Sequence, residues 1–192
     1  LVDTFRTALQ HAKTPDAIIL LGTEIARVAR DELHDYSTAI DAMRRVREAA
    51  PQHVPSLLML AELCVAQRAW PEAVEALESV VEIAREAGPR LTALFALASV
   101  YEKVLHRAEE SERCLRLALD ADPKNSRAIR ALLHRLAAKL KDGTGGRSSK
   151  SEIADLTERL GEVERDSGQK AEILLELAEQ GADLGEHNAA ER

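Results

Sequence analysis

One spacing constrains this chain more than any other feature. Ile25, Leu60, Leu97 and Leu132 recur at intervals of 35, 37 and 35 residues, each followed by Ala26, Ala61, Ala98 or Leu133. A period of that length marks a repeated supersecondary unit. Within 54–89 the apolar positions Val54, Leu57, Ala61 and Cys64 fall at steps of three, four and three, one face of an α-helix. A break at Arg68-Ala69-Trp70-Pro71 follows, then a second stripe of Ala73, Leu77, Val80, Val81 and Ala84. Proline in the first turn of a helix forfeits no hydrogen bond, which suits Pro71. Gly88-Pro89 reads as the stop, making this return helix about one turn longer than its counterparts. Helices this short are not stable alone in water. Each hairpin must bury its apolar face against neighbours.

The same punctuation runs through the chain. Leu1–Lys13 reads as the second helix of a hairpin, with Phe5, Ala8 and Leu9 as its stripe. Thr14-Pro15-Asp16 starts the next helix, which carries Ile18, Leu21, Ile25 and Val28. His34-Asp35-Tyr36 is its turn, with Asp35 as cap. The return helix carries Ala39, Met43 and Val46 and stops before Pro51. The expected units are about 1–15 (partial), 16–52, 53–89, 90–124, 125–168 and 169–192 (partial). In the fourth full unit Lys141–Lys150 has three glycines and no apolar residue, the composition of a flexible loop. Ser149-x-x-Glu152 reads as a capping box opening the following helix, which carries Ile153, Leu156, Leu160 and Val163. Leu156, Leu160 and Val163 lie as far before Leu177 as Ala39, Met43 and Val46 lie before Leu60, so the register survives about ten inserted residues. Gly168 takes the place of the closing proline. With half a unit at each end, the chain reads as a fragment of a longer repeat protein.

The pattern resembles the tetratricopeptide repeat. The residues that carry the likeness are Gly22-x-x-Ile25-Ala26-x-x-Ala29, Ala39-x-x-x-Met43 and Pro51, then Leu57-x-x-Leu60-Ala61-x-x-Cys64 and Ala73-x-x-x-Leu77. A third copy follows in Leu94-x-x-Leu97-Ala98-x-x-Tyr101, Ser111-x-x-x-Leu115 and Pro123. Tyr36 and Trp70 fill the family's turn aromatic. The resemblance implies an all-α fold, a right-handed α-α superhelix built as a solenoid of antiparallel hairpins. The large first aromatic of the family is absent here, replaced by Gly22, Leu57 and Leu94. Less bulk predicts closer helix spacing, most of all at Gly22. His34 and His106 stand where the family usually has a turn glycine.

Composition narrows the function. Aromatics are 3 % of the chain and hydrophobic residues 45 %, so the core is built from Leu, Ala, Val and Ile. A net charge of −7 argues against nucleic-acid binding, which needs a basic excess. No apolar run reaches the eighteen or so residues of a membrane helix, and membrane insertion is not expected. No signal peptide is visible, and a cytoplasmic, reducing location is the default reading. Cys64 and Cys114 lack metal spacing and read as ordinary thiols. The Glu72/Glu75/Glu78 and Glu109-Glu110-Ser111-Glu112 series read as solvated helix faces. Glu102 and His106, at i and i+4, lack a third ligand. Gly143-Thr144-Gly145-Gly146 follows no strand and precedes no GK[ST]. No catalytic, cofactor or metal site is expected, and the chain reads as bacterial and non-enzymatic.

What remains is a surface. The resemblance implies that the first helix of each unit lines a concave groove for a peptide or helix. Carried over position by position, that groove comprises Arg27 and Arg30, with Leu20 and Thr23, in the first unit. It continues through Leu58, Glu62 and Val65, then Phe95, Ser99 and Glu102. Arg127, Arg130 and His134 follow in the fourth unit, and Leu175 and Glu179 in the fifth. It is expected to be basic at its flanks and apolar and acidic in the middle. The inward positions contain no Asn, against the subclass that clamps a terminal carboxylate with Lys and Asn. The function expected is a protein–protein interaction scaffold. The alternatives are a regulatory or substrate-docking segment of a larger enzyme, and a module that self-stacks into a homo-oligomer. Leu97→Ala is expected to cost about 2–5 kcal/mol in urea unfolding, whereas Phe95→Ala leaves the fold near wild-type stability. Equal losses would overturn the division into core and groove.

Overall fold

The computed structural model describes residues 2–163. The expectations for the side chain of Phe5, for Gly168 and for the fifth unit fall outside what is described. Among the described residues there are nine α-helices and no strand. The chain divides into two compact units, Leu1–His106 and Arg107–Arg192.

The first unit holds six helices: α1 (Val2–His11), α2 (Pro15–Asp31), α3 (Tyr36–Ala49), α4 (Val54–Ala66), α5 (Trp70–Ile83) and α6 (Ala87–Lys103). Each packs on the next in order, and α4 also touches α6, so alternate helices share a layer. The starts are set by local chemistry. The Thr14 side chain accepts a hydrogen bond from the Ala17 amide, and Pro15 occupies the first turn. Asp35 accepts from the Thr38 amide at 3.0 Å. Pro55 and Pro71 sit in the first turns of α4 and α5.

The turns that close the first helices each contain a residue with positive φ: His34 at 53°, Arg68 at 59° and His106 at 52°. Such backbone is costly for any residue with a Cβ. It persists because it closes the helix ends. Arg68 N–H reaches Val65 O at 3.1 Å and Ala69 N–H reaches Cys64 O at 2.8 Å, the paired bonds of a Schellman cap. The histidines thus occupy the glycine position of the turn, as their place in the repeat implied, and Arg68 does the same in the intervening unit.

The periodic positions form the core. Ile25, Leu60, Leu97 and Leu132 are all buried, as are Ala26, Ala61, Ala98 and Leu133. Ala39, Ala73 and Ser111, with Met43, Leu77 and Leu115 one turn on, are buried too. In α1, Leu9 is buried against Ile25 and Ala42, whereas Ala8 is exposed.

Two boundaries differ from the expectation. The return helix α5 ends at Ile83, and Gly88-Pro89 lie in the first turn of α6 rather than at the end of α5. Helices α3, α5 and α7 (Ala108–Ala121) all have 14 residues, so α5 has no extra turn. The extra residues lengthen α6 to 17, against 13 in α4. Pro89 is compatible with either placement, because a proline in a first turn gives up no helical hydrogen bond.

The second difference lies in the other unit, where α7 is followed by α8 (Ser126–Lys141) and α9 (Arg147–Val163). Helix α8 packs on both α7 and α9. The loop expected over 141–150 is confined to residues 142–146, between the two helices. Gly143, at φ 71°, follows the cap of α8. The amides of Thr144 and Gly145 both return to Lys139 O, at 3.1 and 2.8 Å. Arg147–Lys150 are helical, so Ser149 lies inside α9 and is not its cap. The inserted residues lengthen the helices. Helices α2, α4 and α6 end six residues beyond Ile25, Leu60 and Leu97, but α8 ends nine beyond Leu132. The buried position represented by Ala39, Ala73 and Ser111 is the fourth of its helix, whereas Leu156 is the tenth of α9.

Gly22 shows how close the packing is. A Cβ on Gly22 would fall inside the van der Waals shell of Val46 Cγ2 and 3.3 Å from the Ala42 carbonyl oxygen on α3. Alanine favours a helix interior over glycine by about 0.5–1 kcal/mol. Overpacking costs about 1–3 kcal/mol and dominates here. Gly22→Ala is expected to lower stability in urea unfolding, and Val46→Ala in the same chain to cost less than it does alone. A Gly22→Ala protein as stable as wild type would show that α2 and α3 do not approach this closely.

Candidate functional site

The expected groove positions can be followed in each unit separately. In the first unit, Arg27, Glu62 and Ser99 are exposed, while Arg30, Leu58, Phe95 and Glu102 are partly exposed. None of them is spent on the core. Leu20 is 66 % exposed, unusual for a leucine in the middle of a helix. The accessible faces of α2 and α4 adjoin: Arg30 Nη1 lies 3.7 Å from Glu62 Oε2. With α4 touching α6, the expected residues of this unit fall on neighbouring helices of one layer.

The charges on this face are not arranged as the sequence suggested. Arg27 donates through Nε and Nη2 to Glu24 Oε2 at 3.2 and 3.0 Å. Arg30 donates to Asp31 at 2.6 and 3.3 Å and also faces Glu62. The hydrogen bond from Arg30 holds the Asp31 carboxyl below its ordinary range. The expected basic flank of this unit is therefore neutralised by its own carboxylates. What the face offers is apolar: Leu20, Leu58 and the ring of Phe95.

In the second unit, Arg127, Arg130 and His134 are exposed at steps of three and four on α8, one continuous strip. Asn125 opens this helix by accepting from the Ala128 amide at 3.1 Å, and its own amide donates to Asp122 at 3.1 Å. No group of three or more His, Cys, Asp or Glu side chains suited to a metal ion occurs among the described residues. No described helix is long and apolar enough to cross a membrane.

The reading of the glutamate series as solvated faces misses two polar networks. Glu72 on α5 receives Arg44 of α3 through both oxygens, at 2.9 and 2.7 Å, and its side chain is only 16 % exposed. The Arg44 hydrogen bonds lower the Glu72 pKa against the opposing effect of burial. Burial, reinforced by the nearby Glu72 carboxylate, pushes the Cys64 thiol up to about 11, so this cysteine is an inert packing group. In the second unit, Arg116 of α7 donates to both oxygens of Glu152 on α9, at 3.0 and 2.9 Å. It also lies 2.7 Å from Glu112, whose other oxygen accepts from Lys139 of α8 at 3.3 Å. Glu152 therefore bridges helices instead of capping one. Arg44 and Arg116 occupy the same repeat position, 72 residues apart, as do His34 and His106, and Pro51 and Pro123. That equivalence is the signal by which the networks could have been found.

Residues 32–98 match the family model described as tetratricopeptide repeat. Among solved structures, the chain is similar to a crystal structure of MamA at 12 % identity, covering 84 % of this chain and 87 % of that one, with a TM-score of 0.59. It is similar to MamA from Desulfovibrio magneticus RS-1 at 18 % identity, covering 86 % of each chain, with a TM-score of 0.55. It is also similar to YrrB, described as a tetratricopeptide-repeat protein with an unusual peptide-binding site. That match has 17 % identity, covers 96 % of this chain and 93 % of that one, and has a TM-score of 0.54. No curated protein sequence matches the chain. At these identities the structural likeness establishes the fold, the all-α solenoid expected from the repeat.

Glu112 supplies a test of the α7–α9 network. Burial alone would raise its pKa, but the hydrogen bonds and charges of Arg116 and Lys139 outweigh this, leaving it below the ordinary 4.5. A carboxylate with a depressed folded pKa contributes stability that is present above its unfolded pKa and lost as pH falls through the folded value. Glu112→Gln is expected to cost about 1–3 kcal/mol at neutral pH. It should also flatten the loss of stability below about pH 4.5. Urea unfolding at several pH values checks this, and an unchanged acid slope would count against the network.

Proposed function

Starting from a chain that carries tetratricopeptide repeats in their solenoid fold, we propose that it is a non-enzymatic interaction scaffold. The exposed faces of its first helices dock an apolar segment of a protein partner. The observation that carries this is the contrast within α2, α4 and α6. One face of each is buried against the neighbouring helices of this unit, while the other keeps Leu20, Leu58 and Phe95 accessible on a face whose charges already neutralise one another. A face of that kind discriminates by apolar fit more than by charge, and aliphatic and aromatic anchors dominate such binding. Binding of a peptide is the described property of YrrB, and the shared fold makes peptide or helix docking the reading to test. In the second unit, the strip of Arg127, Arg130 and His134 is proposed as a separate contact face of basic character.

The test uses a random peptide library displayed on phage, selected on the full chain. Leu58→Ser and Phe95→Ala are expected to abolish enrichment of the selected peptides while leaving helical content and thermal midpoint near wild type. Selected peptides should carry aliphatic or aromatic residues at helical spacing. Arg127→Glu with Arg130→Glu should leave these peptides bound. Peptides retained by both groove variants would overturn the assignment of the face.

A further inference from the structure

Away from these helix faces, the edge of the first unit holds a cleft of about 600 Å³. It is lined by Gln52 from the connection between α3 and α4, by Glu82, Ile83, Ala84 and Arg85 at the end of α5, and by Arg90 in the first turn of α6. Four arginines of this unit are matched to carboxylates: Arg27 to Glu24, Arg30 to Asp31, Arg44 to Glu72, and Arg47 to Glu72 and Glu75. Arg85 and Arg90 are not so matched among the described residues, although both line one cleft in a chain with an acidic excess. Arg90 Nε is shut away from solvent and has no hydrogen-bond partner. A buried guanidinium N–H without an acceptor calls for a ligand or a structural reason.

We propose that this cleft binds a carboxylate, held by the guanidinium groups of Arg85 and Arg90 with the Gln52 amide as a further donor. The planar fork of arginine matches a carboxylate's two oxygens. Charge selects the class: among the described wall residues, two arginines stand beside one carboxylate, Glu82, a positive excess that a singly charged anion balances. The first turn of α6 lies at the same wall, and its N-cap Glu86 makes no side-chain hydrogen bond to it. Its positive end favours an anion. The carboxylate can come from an acidic side chain or from a chain end, and the experiment separates the two.

The experiment is a titration of the isotope-labelled full chain, followed by NMR at the amides of Gln52, Arg85 and Arg90 and at Arg90 Nε–H. N-acetylglycine presents a terminal carboxylate, N-acetylglutamate α-amide presents a side-chain carboxylate, and N-acetylglycinamide is the neutral control, all at one ionic strength. Saturable shifts with either carboxylate and none with the neutral amide are expected, the tighter ligand identifying the source. Arg90→Met, which leaves no unsatisfied donor and should keep the thermal midpoint, is expected to weaken binding about tenfold. Glu82→Gln should strengthen it. Equal shifts with the neutral amide, tighter binding of inorganic phosphate than of either carboxylate, or unchanged affinity in Arg90→Met would each overturn the proposal. None of these outcomes depends on whether the first-helix faces bind a peptide.

Discussion

Helices in this protein come close together because the residues where they meet are small. Gly22 faces Val46 so closely that a single Cβ would intrude, and Ala26, Ala61, Ala39 and Ala73 are almost fully buried along the same hairpins. Dispersion falls off steeply with separation, so a gap of half an ångström already forfeits a sizeable part of each contact. With aromatics at 3 % of the chain, large rings cannot fill gaps between the helices. Leucine and isoleucine at positions 25, 60, 97 and 132 complete the seam that the small residues permit. The turns, caps and ion pairs are arranged around that requirement. The αL residues at the ends of α2 and α4, for example, bring the chain back within a few residues while satisfying the terminal carbonyls.

Much of this was legible in the residues. Period, apolar stripes and the small–large alternation identify hairpins and their buried faces, because burial acts on the same positions in every copy. The boundaries were less legible where two local signals compete. Gly88-Pro89 reads equally well as the end of one helix or the first turn of the next, since neither residue needs a helical amide at a start. Lys141–Lys150 reads as loop from its glycines, yet only Gly143 carries the positive φ that ends α8, and Arg147–Lys150 join α9.

The polar features were the least legible, for a different reason. Glu72 and Glu112 sit in runs that look like solvated faces from their own helix alone. Their burial goes with cations that reach them from other helices, Arg44 of α3 for Glu72 and Lys139 of α8 for Glu112. Charge on the groove face is set partly within α2, by Glu24 and Asp31, and partly across helices, by Glu62 of α4. Arg27 and Arg30 read as a basic flank until their carboxylates are placed beside them, and what remains on that face is apolar.

The αL histidines and arginine at positions 34, 68 and 106 bear on how this lineage can diverge. A turn held by main-chain bonds, not by glycine's freedom, leaves its side chain at liberty to vary. Each such turn presents an imidazole or a guanidinium at a fixed spot beside the helix ends, where glycine would have offered nothing. The turns thereby become display points, able to acquire chemistry one copy at a time without disturbing the repeat that carries them.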